Sequence, residues 1–104
     1  MTTQISINIL HGSSSVQEDD RERAEAAALA VLESAGVTPT AAYAEFMRQW
    51  EWLGTEEAEA AGKCQDYDDV TGLAAVWVDA ERKADIALTD GWHNENGASC
   101  TISI

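Results

Sequence analysis

The sequence predicts an α+β domain: a mainly antiparallel sheet of about four strands, in the order β-α-α-α-β-β-β, with the helices packed on one face. Three observations carry this expectation. Isoleucines alternate with polar residues near the N-terminal end, apolar residues recur at helical spacing through the middle, and β-branched and aromatic residues separated by turn signals fill the last third. Such an order lets an antiparallel sheet bury one face under a single layer of helices.

The first element is a strand from Gln4 to Leu10. Ile5, Ile7 and Ile9 alternate with Ser6 and Asn8, a period of two with β-branched residues on the buried face. His11-Gly12-Ser13-Ser14-Ser15 then breaks the pattern, and Ser15 with Glu18 forms the S-x-x-E capping box that satisfies free amides at a helix start. The first helix therefore runs from about Val16 to Ala35, its apolar stripe being Ala24, Ala27, Ala28, Val31, Leu32 and Ala35, with Gly36 as its stop.

A second helix starts at Thr38-Pro39-Thr40, where a capping threonine and an N-terminal proline agree. Tyr43, Phe46, Met47, Trp50 and Leu53 make its stripe and Gly54 ends it. Thr55 caps a short third helix, Glu56 to Ala61, that stops at Gly62.

Residues 70–84 are ambiguous. Val70, Leu73, Ala74 and Trp77 fit a helix, but Gly72 lies among them, and Val76-Trp77-Val78 favours a strand. The preferred reading is a meander in which Leu73 to Asp79 pairs with Asp85 to Trp92. A turn at Asn94-Glu95-Asn96-Gly97 then leads into a last strand, Ala98 to Ile104, where Cys100, Ile102 and Ile104 alternate with Thr101 and Ser103.

The 104 residues form a single domain, 1–104, with no internal repeat or linker, and a folded surface of roughly 5,700 Å² is expected from the mass. Hydrophobic residues make up 45% of the chain, enough for a core and too many for a disordered acidic tail. The longest apolar stretches fall far short of the about 20 residues that span a membrane. Met1-Thr2-Thr3-Gln4 carries no basic residue ahead of an apolar run, so a cytoplasmic chain is expected. Cys64 and Cys100 are far apart, without a CxxC or a neighbouring ligand cluster, and are expected to be reduced, with no zinc site.

Charge is the most informative feature. Nineteen Asp and Glu against six Lys and Arg give a formal net charge of -13. Direct nucleic-acid binding needs basic residues to displace counterions, and anionic membranes need the same, so neither is expected as a partner. A basic protein is expected instead, above all a nucleic-acid-binding protein or complex, attracted at long range.

No catalytic, cofactor or metal site is expected. The glycines form no GxGxxG or GxxxxGK[ST] pattern. Asp66, Asp68 and Asp69 resemble a calcium loop until its sixth and twelfth positions are read, which are Thr71 and Trp77 where glycine and glutamate are required. His93 with Cys100 or Asp90 lacks an orienting group, His11 sits at a strand end, and Ser13, Ser14 and Ser15 have no GxSxG context. Trp50 and Trp77 read as core and Trp92, near a turn, goes either way. Trp52, two positions from Trp50, points about 160° away from the stripe and is a candidate anchor for a partner.

The acids fall in two groups. Glu18, Glu22, Glu25 and Glu33 share the outer stripe of the first helix, with Asp19 and Asp20 near its capped end. In the second group Glu51, Glu56, Glu57, Glu59, Asp66, Asp68 and Asp69 are balanced only by Lys63. Carboxylates one helical turn apart are separated by about 6 Å, a scale similar to successive phosphates, so a row of them can occupy a groove shaped for DNA or RNA. Spread evenly, the net charge would amount to one per roughly 440 Å², against about one per 110 Å² on duplex DNA, so mimicry requires the acids to gather.

Small size, high acidity and the absence of a catalytic set resemble phage-encoded anti-defence inhibitors, including anti-CRISPR proteins and DNA mimics, a resemblance of class that rests on composition. It implies an acidic protein-binding inhibitor that occludes a basic nucleic-acid-binding surface. Three other readings use the same features: an immunity protein or antitoxin against a basic toxin, a salt-adapted domain whose acidity is environmental, and a small enzyme or ligand-binding subunit built on His93 or Cys100.

Overall fold

The computed structural model describes residues 5–11, 18–89 and 99–104. In chain order these form strand β1 (Ser6–His11), helices α1 (Glu18–Ser34), α2 (Pro39–Leu53) and α3 (Glu56–Ala60), a 3₁₀ turn at Tyr67–Asp69, helix α4 (Leu73–Thr89) and strand β2 (Ser99–Ser103). The described residues are mostly helical, and the expected four-strand sheet is replaced by one antiparallel pair, β1 with β2.

The correction lies in α4. The stretch read as two strands joined by a turn is one continuous helix of 17 residues. Buried Ala74, Trp77, Glu81, Ala84 and Leu88 recur at steps of three and four, while Asp79, Arg82 and Ile86 are exposed. Trp77 and Val78 are both buried, which a strand with one buried face forbids and a helix permits. Gly72 precedes the helix: its φ of 60° turns the chain in, and its carbonyl accepts the amides of Ala75 and Val76. Over 17 residues, alanines and the Glu81-Arg82-Lys83 run outweigh the local β preference of Val76-Trp77-Val78. The remainder of the expected second meander strand, with Trp92, lies outside the described residues, as do Ser15, Val16 and the turn at 94–97.

The other helices follow their local signals. Thr38 caps α2 by accepting the Ala41 amide at 3.2 Å, with Pro39 at the first helical position. Thr55 caps α3 by accepting the Ala58 amide at 3.3 Å. Arg23 of α1 donates to the Ala87 carbonyl of α4, and Lys83 lies beside Ala27 and Ala30, so α1 and α4 run antiparallel. Ala24, Ala28, Ala80 and Ala84 are completely buried along these helices. Small side chains there let the two backbones approach, making this the most extensive contact between elements.

On its other sides α4 meets α2 and β2. Trp77 meets Tyr43 edge-to-face, with ring centroids 5.0 Å apart. Phe46 and Trp50 of α2 stack at 5.3 Å, and Tyr67 of the 3₁₀ turn closes on both at 6.0 and 5.4 Å. The first ring pair thus ties α2 to α4, and the three-ring group ties α2 to the turn.

A two-stranded sheet is stable only when packed and when its edges are dealt with. Ile7 pairs with Ile102 and Ile9 with Cys100. The amides of Cys100 and Ile102 point away from β1 and donate to α4: Cys100 to Asp85 at 2.9 Å and Ile102 to Glu81 at 3.4 Å. Residues four apart on a helix rise about 6 Å and residues two apart on a strand about 6.6 Å. The match lets the two carboxylates stand where a third strand would bond. At the opposite edge, Arg21 of α1 donates to the Ile7 carbonyl at 3.1 Å.

Candidate functional site

Of the first acidic group, Glu18 and Glu22 are exposed on α1, Glu25 is half-buried, and Glu33 and Asp19 are exposed. Asp20 belongs elsewhere: it is 1% exposed and accepts Arg23 at 2.8 Å, so it serves the fold and not the surface.

The second group divides in two. Its loop aspartates have structural partners. Asp66 caps the 3₁₀ turn by accepting the Asp68 amide at 2.9 Å, Asp69 accepts the Cys64 amide at 3.0 Å, and Asp68 pairs with Arg82 at 3.4 Å. Gln65 donates to the Trp50 carbonyl at 2.9 Å, and the Gln49 amide both donates to and accepts from Thr71, so the segment 62–72 is fastened to α2.

The glutamates differ. Ala58 buries one side of α3, leaving Glu56, Glu57 and Glu59 exposed beside Glu51 and the half-exposed Trp52. The Thr55 hydroxyl donates to the Trp52 carbonyl at 2.6 Å, which sets α3 tightly against the end of α2.

Helix α3 packs on α2, whereas α1 packs on α4 and β1 and touches α2 only lightly. Glu51 and Trp52 therefore lie at the end of α2 and Glu56, Glu57 and Glu59 on the adjoining α3, whereas Glu18, Glu22 and Glu25 stand on a separate element. All four arginines are turned to internal acceptors: Arg21 on Ile7, Arg23 on Asp20 and Ala87, Arg48 on Glu45, and Arg82 on Asp68. Arg48 and Gln49 hydrogen-bond the Glu45 carboxylate and hold it down to about 2. The exposed glutamates of α3 enter none of the ion pairs formed among the described residues.

Two polar features were not legible in the sequence. Glu81 is 7% exposed and accepts the Tyr67 hydroxyl as well as the Ile102 amide. Burial, then the bond to Glu81, pushes the Tyr67 phenol far above its usual range. Cys100 is buried, and desolvation, with Asp85 and Glu81 nearby, pushes its thiol up to about 11. Such a thiol is not a nucleophile at neutral pH. His93, its suggested partner, lies outside the described residues.

A raised pKa favours the protonated thiol in the folded state, so the stabilisation is complete below the ordinary value of 9.0 and is lost as pH climbs toward about 11. Tyr67 adds to that loss above 10.0. Denaturation in urea should show a midpoint that falls between about pH 8 and about pH 10.5, and the Cys100→Ala variant should fall less steeply. Exposed Cys64 should react with iodoacetamide in the native protein, and Cys100 only after unfolding.

Among the described residues, no helix is long and apolar enough to cross a membrane, and no group of three or more His, Cys, Asp or Glu is placed to hold a metal ion. Comparison with protein-family models, with curated proteins and with solved structures finds no match to this chain.

Proposed function

We propose that the protein is an acidic inhibitor that binds a basic nucleic-acid-binding protein and covers its nucleic-acid surface with the face formed by the end of α2 and α3. The observation that supports this reading is the exposed group Glu51, Glu56, Glu57 and Glu59 with Trp52, on a chain whose four arginines each bond an acceptor of the chain other than these glutamates. Successive carboxylates present acceptors to Lys and Arg much as phosphates do, and a partly exposed tryptophan is the residue type most enriched at binding hot spots. Opposite net charge speeds encounter and makes the complex sensitive to salt.

The test reverses charge at Glu56, Glu57 and Glu59 together. Affinity for the partner recovered by capture on the immobilised protein should fall on the order of 100-fold, with heparin, a polyanion, displacing the wild-type complex. Reversal at Glu18, Glu22 and Glu25 should cost far less, because α1 is a separate element. Equal losses at the two sites, or resistance to heparin, would sink the assignment of this face.

A further inference from the structure

Between the C-terminal half of α2 and the segment 62–72 runs a groove of about 220 Å³, open along one side, whose lining includes Arg48, Gln49, Trp52, Leu53, Lys63 and Asp69. Its polar groups are not equally available. Gln49 is spent on Glu45 and Thr71, and Asp69 takes the Cys64 amide with one carboxylate oxygen, Oδ2. Arg48 gives Nε and Nη2 to Glu45, which leaves Nη1 outside that pair, and its side chain is 69% exposed. Lys63 is exposed and enters none of the ion pairs formed among the described residues. What remains is a pair of cationic donors beside the apolar surface of Trp52 and Leu53.

With Arg48 and Lys63 against Asp69, that lining carries one formal positive charge, the opposite sign from the glutamates of α2 and α3. It asks for an acceptor carrying negative charge, attached to something apolar. The volume is below the roughly 300–1,000 Å³ of sites for drug-sized ligands, so it suits one residue and not a cofactor. The open side lets a longer chain continue outward, and with exposed glutamates at the end of α2 and on the adjoining α3 a basic residue is favoured there.

We propose that this groove binds the carboxyl terminus of a peptide whose last residue is apolar and whose preceding residues are basic. The terminal carboxylate takes Arg48 Nη1 and the Lys63 ammonium, the last side chain lies against Trp52, and the upstream cations meet the glutamates of α2 and α3. The site is distinct in sign from the inhibitory face and does not require that face to act on a nucleic-acid-binding protein.

The probe is acetyl-Lys-Arg-Gly-Phe with a free carboxylate, compared with its C-terminal amide and with 3-phenylpropionate, followed through the Trp52 indole N–H signal. Attraction to an acidic surface alone favours the amide, which carries one more net positive charge. The proposal requires the reverse: the free acid should bind at least about tenfold tighter than the amide. Lys63→Ala should remove that preference, and Trp52→Ala, followed by titration calorimetry because it lacks the indole reporter, should weaken binding of the acid. Both positions are solvent-exposed, and an unchanged urea midpoint will confirm that the variants fold. An amide that binds as well as the acid, a preference that survives Lys63→Ala, or no shift of the indole signal would overturn the site. Phenylpropionate binding as tightly as the peptide would overturn the peptide terminus as its occupant. Charge reversal at Glu56, Glu57 and Glu59 can weaken both peptide forms, but the acid-over-amide preference stands or falls without it.

Discussion

Replacing Glu81 with alanine should destabilise the protein by about 2 to 5 kcal/mol, because two donors lose their acceptor at once. The Tyr67 hydroxyl and the Ile102 amide both bond this carboxylate, and with Glu81 7% exposed there is little access for water to replace it. Glu81→Gln keeps one carbonyl acceptor and should lose less than half as much. The double variant Tyr67→Phe with Glu81→Ala should cost less than the sum of the two single changes, since it removes a donor together with its acceptor. Urea denaturation with an unchanged slope measures each value. Additive single and double variants would mean that Tyr67 and Glu81 do not act as a pair. The effect reaches two places, because Glu81 joins the 3₁₀ turn to β2, and loss of the acceptor should increase hydrogen exchange at the Ile102 amide.

Trp77→Ala should cost about 3 to 5 kcal/mol, the range for removal of a large aromatic side chain from a core. Trp77 is 1% exposed, sits in the second turn of α4 and meets Tyr43 at 5.0 Å. Its indole N–H has no hydrogen-bond partner among the described residues. A buried donor without an acceptor opposes folding, so Trp77→Phe sets the loss of ring volume against relief of that penalty. It should cost less than about 1.5 kcal/mol, far below the alanine value. If phenylalanine proves as damaging as alanine, the N–H has an acceptor and contributes to stability. Chemical denaturation of both variants, followed by circular dichroism so that no tryptophan signal is needed, decides between these.

The elements that were legible are those whose signals are local. Thr38 with Pro39, and Thr55 with buried Ala58, begin their helices through hydrogen bonds within three residues. Ile5 and Ile7 on one strand, and Cys100 and Ile102 on the other, face the core in the alternation that the sequence displays. Helix α4 was misread because its local and global preferences conflict. Val76-Trp77-Val78 taken alone favours a strand, and the repeat through Ala84 and Leu88 appears only when the stretch is kept whole. Gly72 looked like an interruption because its sequence position does not reveal that it precedes the first turn.

The acids followed the same division. Exposure of Glu56, Glu57 and Glu59 could be read from a short helix with one alanine face. The roles of Asp20, Asp66, Asp68 and Asp69 could not, although the Asp66-x-Asp68 spacing is the pattern of an aspartate capping its own turn and offered a clue.

The sequence alone therefore determined what is additive or short-range: the net charge of -13, the capped helices, the two alternating strands and the off-stripe position of Trp52. Tertiary structure alone decided which carboxylates are surface charge and which are internal acceptors, and that Glu81 and Asp85 bond the edge of β2 in place of another strand. The physical reason is that a carboxylate's role depends on the donors brought to it. The Ile102 amide reaches Glu81 across 21 residues of chain, and Cys100 reaches Asp85 across 15. No local pattern records such a meeting, because it exists only once the helix and the strand have packed.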